Sequence, residues 1–155
     1  MSFPVSKNPP TVLLSTITLS AAKLTRHNVI KSISINRPPA EVLEILTDPK
    51  QLPKWLFFSI TAVRPVVSSR GWEIKASGQT GTLRISPLMD NQGVDYEIQL
   101  PDQKWHIPFR IVPNEDGAII LLPLIHGKNL TNYQFSSRVA SSVRELGLLK
   151  RLLES

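Results

Sequence analysis

The sequence contains no cysteine, which excludes disulfide bonds, thiolate metal sites and a cysteine nucleophile. It also lacks any apolar run near the roughly 20 residues that a membrane-spanning helix needs. Acidic residues are absent from positions 1–37, which hold five of the 18 basic residues, so 13 bases face all 12 acids in the remaining chain. The net charge of +6 is therefore concentrated in the N-terminal quarter. Nucleic-acid binding, which favours a basic folded face with interleaved aromatic residues, is not expected.

What is present indicates one globular domain. A chain of 155 residues can bury a sizeable core but would be crowded by two. Hydrophobic residues make up 41% of the chain and charged residues 19%, which is ordinary for a folded protein and unlike a disordered one. The 13 prolines exclude a bundle of long helices, because proline breaks a helix interior.

Residues 1–28 differ in composition from the rest, being rich in Ser, Thr and Pro with one apolar stretch at 12–22. A signal peptide is one interpretation, with Lys7 before the apolar stretch and small residues at 20–22. An additional edge strand is another, because apolar and polar residues alternate there. We favour an N-terminal extension that leans on the following domain. Its basic and apolar residues could also contact an anionic membrane surface.

The domain begins at residue 29 with a strand, since residues 29–36 alternate between apolar and polar. Pro38-Pro39 then opens a helix, with Glu41 in its first turn where the helix dipole favours an acid. Thr47-Asp48-Pro49 ends this helix. Asp48 can cap a second short helix that begins at Pro49.

Six strand-like runs follow, separated by short turns rich in Gly, Asn, Asp and Pro. Short linkers between consecutive strands predict antiparallel hairpins. The turn at 114–117 predicts that Pro113 faces Ala118, which places Pro108 opposite Pro123 and Trp105 opposite His126. Two prolines on one rung predict a bend or bulge. The runs are 58–67, 72–77, 80–86, 94–100, 105–112 and 118–125.

A long helix is predicted from residue 131 to the C-terminus, capped by Thr131 or Asn132. Its apolar stripe is expected to pack over the inner face of the sheet, and its charged residues, Arg138 among them, are assigned to the other faces. The stripe consists of Phe135, Val139, Val143, Leu146, Leu149 and Leu153.

The order of elements, with the text ISINRPPAEV at 33–42 and LTDPKQLPKW at 46–55, resembles the START-like (SRPBCC) superfamily, which includes the polyketide cyclase/dehydrase and lipid transport proteins and the Bet v 1-like proteins. The resemblance covers residues 29–155. It implies an α+β helix-grip fold, in which a curved seven-stranded antiparallel sheet wraps around a long C-terminal helix, with two short helices after strand 1. It also implies a cavity between sheet and helix, and a range of functions rather than one.

Aromatic and apolar residues are expected to line that cavity. His126 is the best candidate for a polar group there, able to orient a ligand or act as a base, although a lone histidine is more often structural. The expected ligand-binding residues are Trp55, Trp72, Tyr96, Trp105, Phe109, His126, Phe135 and Val139.

Other chemistry has less support. The three histidines are too dispersed for a metal site, and no cofactor motif is present. Asp95 and Glu97 share a strand face that should be solvated, opposite Arg84 or Arg110. Arg64 and Arg110 could hold a carboxylate at the cavity mouth, but surface positions are favoured for both.

The sequence therefore predicts binding or transport of a small hydrophobic molecule, such as a lipid, polyketide or isoprenoid-like compound, by a cytoplasmic protein. Two alternatives stay open. One is a metal-free cyclase, dehydratase or hydrolase that uses the same cavity, which would require two ionisable groups to converge inside it, where the sequence places at most one. The other is a START-like protein-interaction or membrane-interaction module.

Overall fold

Seven antiparallel strands form one sheet in the order β1-β7-β6-β5-β4-β3-β2 in the computed structural model, which describes residues 28–56, 60–66 and 71–155. The curled sheet holds a long C-terminal helix, which gives the helix-grip α+β fold that the sequence predicts. The predicted N-terminal extension lies outside the described residues, apart from Asn28. The strands are β1 Asn28–Ile35, β2 Ile60–Pro65, β3 Trp72–Ala76, β4 Gln79–Pro87, β5 Gly93–Leu100, β6 Gln103–Asn114 and β7 Gly117–Ile125.

Every predicted strand is present among the described residues, and the ends that the structure describes lie within two residues of those expected from the turn residues. Residues 58, 59 and 67 of the predicted run 58–67 lie outside the described residues. The β6–β7 register is also confirmed, since Pro113 pairs with Ala118. The turn is shorter than predicted, because Asn114 and Gly117 themselves pair across it. Glu115 adopts a positive φ of 56°, which suits a tight two-residue hairpin turn.

The β6–β7 ladder runs no further than Arg110 opposite Leu121. The predicted rung of Pro108 and Pro123 lies beyond it. Because proline has no N–H to donate, two prolines at this level account for the end of the pairing. The predicted pairing of His126 with Trp105 is therefore wrong, and His126 instead follows the last residue of β7.

Two short helices and a 3₁₀ turn connect β1 to β2. Helix α1 spans Pro39–Leu46, the 3₁₀ turn spans Pro49–Gln51, and α2 spans Leu52–Trp55. Asp48 caps the 3₁₀ turn as predicted, accepting a hydrogen bond from the backbone N–H of Lys50 at 3.1 Å. The short α2 ends with the side chain of Trp55 buried.

Helix α3, Asn132–Glu154, begins with a capping box in which Thr131 and Gln134 exchange hydrogen bonds. The predicted apolar stripe is only partly correct. Val143 is 62% exposed, whereas Arg138 and Glu145 are 1% and 2% exposed. The buried stripe advances by three or four residues at a time, with Glu145 and Leu146 as adjacent members, and consists of Phe135, Arg138, Ser142, Glu145, Leu146, Leu149 and Leu153. The assignment of Arg138 to a solvent face is therefore wrong, because Arg138 lies on the buried side of α3, a helix that packs against β1, β7 and the two short helices.

Candidate functional site

Three of the predicted ligand-binding aromatic residues meet beneath the helices. The ring centroids of Trp55 and Phe109 lie 5.6 Å apart, and those of Tyr96 and Phe109 lie 5.4 Å apart, both in edge-to-face geometry. Trp55 and Tyr96 are 6.3 Å apart and tilted. All three side chains are buried. Strands β5 and β6 thus provide two rings that pack against the Trp55 ring from α2.

The hydroxyl of Tyr96 joins this cluster to α1, because it donates a hydrogen bond to the backbone carbonyl of Leu46. Burial raises the pKa of Tyr96 well above 10.0, and the negative charge of Glu145 raises it further. Tyr96 is therefore a neutral hydrogen-bond donor in the folded protein at physiological pH.

An ion pair lies in the same interior. Arg138 Nη1 and Glu145 Oε1 are 2.8 Å apart, and each side chain is 1% exposed. Residues seven apart lie on the same side of a helix, so α3 directs both side chains inward. A buried pair of charges is expensive to desolvate and is weak evidence for stability alone. Sequence reasoning missed this pair because charged residues were assigned to solvent. The alternating three-four spacing through positions 135, 138, 142, 145 and 149 is the signal that could have found it.

A groove of about 510 Å³ opens between α2 and α3. Residues 53–56 form one wall, and Ser141, Arg144, Glu145 and Leu148 form the other. This α2–α3 groove therefore brings the exposed Arg144 of α3 together with two buried residues that border it, Trp55 and Glu145. Its volume lies within the ~300–1,000 Å³ typical of small-molecule pockets.

The polar groups of the α2–α3 groove are mainly hydrogen-bond donors. The indole N–H of Trp55 is buried, and no acceptor among the described residues lies within hydrogen-bond distance of it. Lys54 and Arg144 are both exposed. Within the described part of the chain, neither has a carboxylate within 4.0 Å. The carboxylate of Glu145 is already paired with Arg138.

The predicted residues at the other end of α3 form a separate group. The ring of His126 stacks on Phe135, with centroids 4.8 Å apart and planes at 7°. A ring nitrogen of His126, Nε2, lies 2.9 Å from the carbonyl oxygen of Leu130. These contacts give His126 a structural role in joining β7 to α3. Val139 follows one turn after Phe135, half-buried against the core.

The two remaining tryptophans lie on strands β3 and β6 of the sheet. Trp72 opens β3 and is half-buried against the core. Trp105 is 7% exposed on β6, and its indole N–H donates to Oε1 of Gln103 at 2.9 Å. Ring contacts therefore join Trp55, Tyr96 and Phe109. Trp72 and Trp105 lie on strands β3 and β6.

The charged strand residues lie on the outer face of the sheet. Arg110 Nη1 is 2.7 Å from Asp95 Oδ1, and His106 lies 3.5 Å from the same carboxylate. Burial alone would raise the pKa of Asp95, but the hydrogen bond and charge of Arg110, with a smaller contribution from His106, hold it below its usual value. Arg64 pairs with Glu73 at 2.7 Å. Both arginines thus have carboxylate partners of their own.

Residues 28–56, 60–66 and 71–155 contain neither a metal-ligating cluster nor a membrane-spanning helix. These residues contain no group of three or more His, Asp or Glu side chains placed to hold a metal ion. None of their helices combines the length and the apolar character needed to cross a membrane.

Comparison of the sequence with protein-family models finds no match, and neither does comparison with curated proteins. Solved structures do match. A START superfamily protein from Mycobacterium smegmatis has a TM-score of 0.60 at 16% identity, covering 83% of this chain and 97% of that one. The Aha1 dimer from Colwellia psychrerythraea has a TM-score of 0.60 at 19% identity, with coverages of 83% and 96%. Ara h 8.0201 has a TM-score of 0.60 at 16% identity, with coverages of 83% and 98%. The chain thus has the START/Bet v 1-like fold that its sequence resembles.

Proposed function

We propose that this START-like domain binds a small amphipathic ligand in the α2–α3 groove. The observation that carries the proposal is the composition of the groove, where the apolar Leu56 and Leu148 adjoin two buried polar groups, the Trp55 indole and the Glu145 carboxylate. Apolar walls supply affinity through buried area, and a few placed polar groups fix orientation. Lipids, polyketides and isoprenoid-like molecules with one polar end fit this description.

The buried ion pair supports a ligand-related role. A folded domain gains little or nothing from replacing well-packed apolar residues by a buried Arg–Glu pair. The pair is instead suited to hold a fixed dipole beside the groove, which Glu145 borders. The hydroxyl of Tyr96 donates a hydrogen bond to the backbone carbonyl of Leu46. This bond limits how the aromatic cluster can rearrange when a ligand binds.

The full-length protein offers a direct test with Nile red, a neutral apolar fluorophore. We expect the wild-type protein to bind Nile red at a single site with enhanced emission. Ser141→Phe introduces a ring into the groove wall and should lower this binding at least tenfold. Ser136→Phe places the same ring on an exposed part of α3 and is the matched control. Equal binding by both variants, with unfolding midpoints like the wild type, would place the ligand elsewhere.

Native mass spectrometry of gently purified protein, followed by denaturing extraction, complements this test. A stoichiometric apolar molecule that is retained by the wild type and lost from Ser141→Phe supports a carrier. A protein that is empty and also fails to bind Nile red overturns the proposal.

An enzyme acting in the same groove is the second candidate, favoured by one observation. Two ionisable groups, Arg138 and Glu145, do converge in the interior, where the sequence predicted at most one. An arginine guanidinium does not give up its proton in proteins, and the Glu145 carboxylate is already engaged by Arg138 at 2.8 Å. The pair is therefore better suited to bind than to transfer protons. Turnover of a bound ligand that is lost in Glu145→Gln, with binding retained, would favour the enzyme.

A further inference from the structure

The polar groups of the α2–α3 groove differ in their hydrogen-bonding roles, and this difference restricts the ligand. The Lys54 ammonium, the Arg144 guanidinium and the Trp55 indole N–H are donors only. The Ser141 hydroxyl donates to the carbonyl of Ser137 at 2.9 Å, and its oxygen can still accept a hydrogen bond. The carboxylate of Glu145 is an acceptor, but Arg138 occupies it at 2.8 Å. A ligand that itself offers acceptors is thus better matched to the groove than one that offers donors.

The charges that line the groove also favour a ligand that offers hydrogen-bond acceptors. Lys54 and Arg144 carry positive charge on opposite walls, while Glu145 is balanced by Arg138 in the interior. The groove therefore has an excess of positive charge. Charge-assisted hydrogen bonds from lysine or arginine to a carboxylate are roughly twice as strong as neutral ones.

From these observations we infer that the groove selects an amphiphile with a carboxylate head, which contacts Lys54 and Arg144, and an apolar body that lies over Leu56 and Leu148. The indole N–H of Trp55 would donate to an acceptor oxygen of the ligand and so gain the hydrogen-bond partner that the described residues do not provide. This inference rests on the proposed function and adds the class of ligand.

Displacement of Nile red from the full-length protein tests it, with three competitors of equal chain length used below their micellar concentrations: dodecanoate, 1-dodecanol and dodecylammonium. We expect dodecanoate to compete about tenfold more strongly than dodecanol, and dodecylammonium to be weakest, because electrostatic complementarity separates the three heads. The advantage of dodecanoate should decrease as salt is added, since both cations are exposed to solvent.

Matched variants separate the groove from the overall charge of the protein. Lys54→Gln and Arg144→Gln should each remove most of the dodecanoate advantage. Lys50→Gln and Arg151→Gln remove the same charge at exposed positions outside the groove and should retain it. Trp55→Phe keeps an aromatic ring but deletes the N–H, and should weaken dodecanoate more than dodecanol.

The outcomes distinguish this inference from the proposed function. Equal competition by the three amphiphiles, with normal Nile red binding, overturns the carboxylate preference and leaves the proposed function standing. An equal loss in the groove and control variants assigns the preference to net charge and also overturns the inference. If the wild-type protein does not bind Nile red, both the proposed function and this inference are overturned.

Discussion

Two arginine–carboxylate pairs with nearly equal separations occupy opposite environments in this protein. Arg138 and Glu145 lie 2.8 Å apart beneath α3, with side chains 1% exposed. Arg110 and Asp95 lie 2.7 Å apart on the outer face of the sheet, with side chains 38% and 28% exposed. The separation of the charged atoms is thus almost the same, and the access of water differs greatly.

The difference shows why distance alone does not measure an ion pair. Water screens the outer pair, so it contributes little. The inner pair interacts strongly in a low-dielectric interior, but both of its charges had to be desolvated. Removing one partner should therefore lower the free energy of unfolding far more at the inner pair than at the outer pair.

The largest effect is expected from Glu145→Leu, which leaves the Arg138 guanidinium buried without its carboxylate. Breaking a buried pair in this way costs about 3–5 kcal/mol of unfolding free energy. Urea denaturation followed by circular dichroism measures it. Glu97→Leu, on the exposed face of β5, controls for the loss of an acid. A loss in Glu145→Leu no greater than in Glu97→Leu would contradict the burial of the pair.

Replacing both partners should recover most of that loss. In Arg138→Met/Glu145→Leu no charge stays buried, and apolar residues of similar size are neutral or stabilising by about 1–4 kcal/mol at such sites. The double-mutant cycle with the two single variants gives the coupling energy. If the double variant is as unstable as Glu145→Leu, then Arg138 or Glu145 stabilises the fold through contacts other than their mutual ion pair.

Tyr96→Phe is expected to have an intermediate effect, of about 1–2 kcal/mol, because it removes the buried hydrogen bond to Leu46. A Tyr133→Phe background leaves Tyr96 as the single tyrosine, since the sequence has two. The folded protein keeps this phenol protonated, whereas the unfolded chain releases the proton near pH 10. Stability should therefore fall as the pH rises above about 10, and phenolate absorbance at that pH should appear only on unfolding.

The smallest effect is expected at the outer pair. Asp95→Asn should cost about 0.5 kcal/mol at pH 7. Because the pKa of Asp95 is lowered in the folded state, its contribution is present above about pH 4 and is lost as the pH falls through the folded pKa. The difference between wild type and variant should then vanish in acid. Asp102→Asn, in the β5–β6 turn, is the control, and an unchanged difference at low pH would contradict the interaction with Arg110.

The candidate site was less predictable than the elements that form it. Trp55, Tyr96 and Phe109 were expected in one apolar interior and do meet there, because large aromatic residues on inward strand positions and a short helix have few other places to be buried. The predicted pairing of His126 with Trp105 was wrong, because the β6–β7 ladder ends before two prolines that lie between this rung and the turn. Lys54, Arg144 and Glu145 were not predicted as groove residues.

By itself, the sequence determined the local structure of this protein. Alternating apolar and polar residues determined the strands, and turn residues determined the hairpins and the register of β6 with β7. Residues 131–134 determined the start of α3. Each of these features depends on neighbours along the chain. Only the tertiary structure decided which side of α3 is buried. Its periodicity allows Val143 on one flank or Arg138 and Glu145 on the other, and the packing of α3 against the sheet and the short helices buries the charged pair and leaves Val143 exposed. Burial depends on two surfaces that meet, and an amphipathic pattern describes one of them.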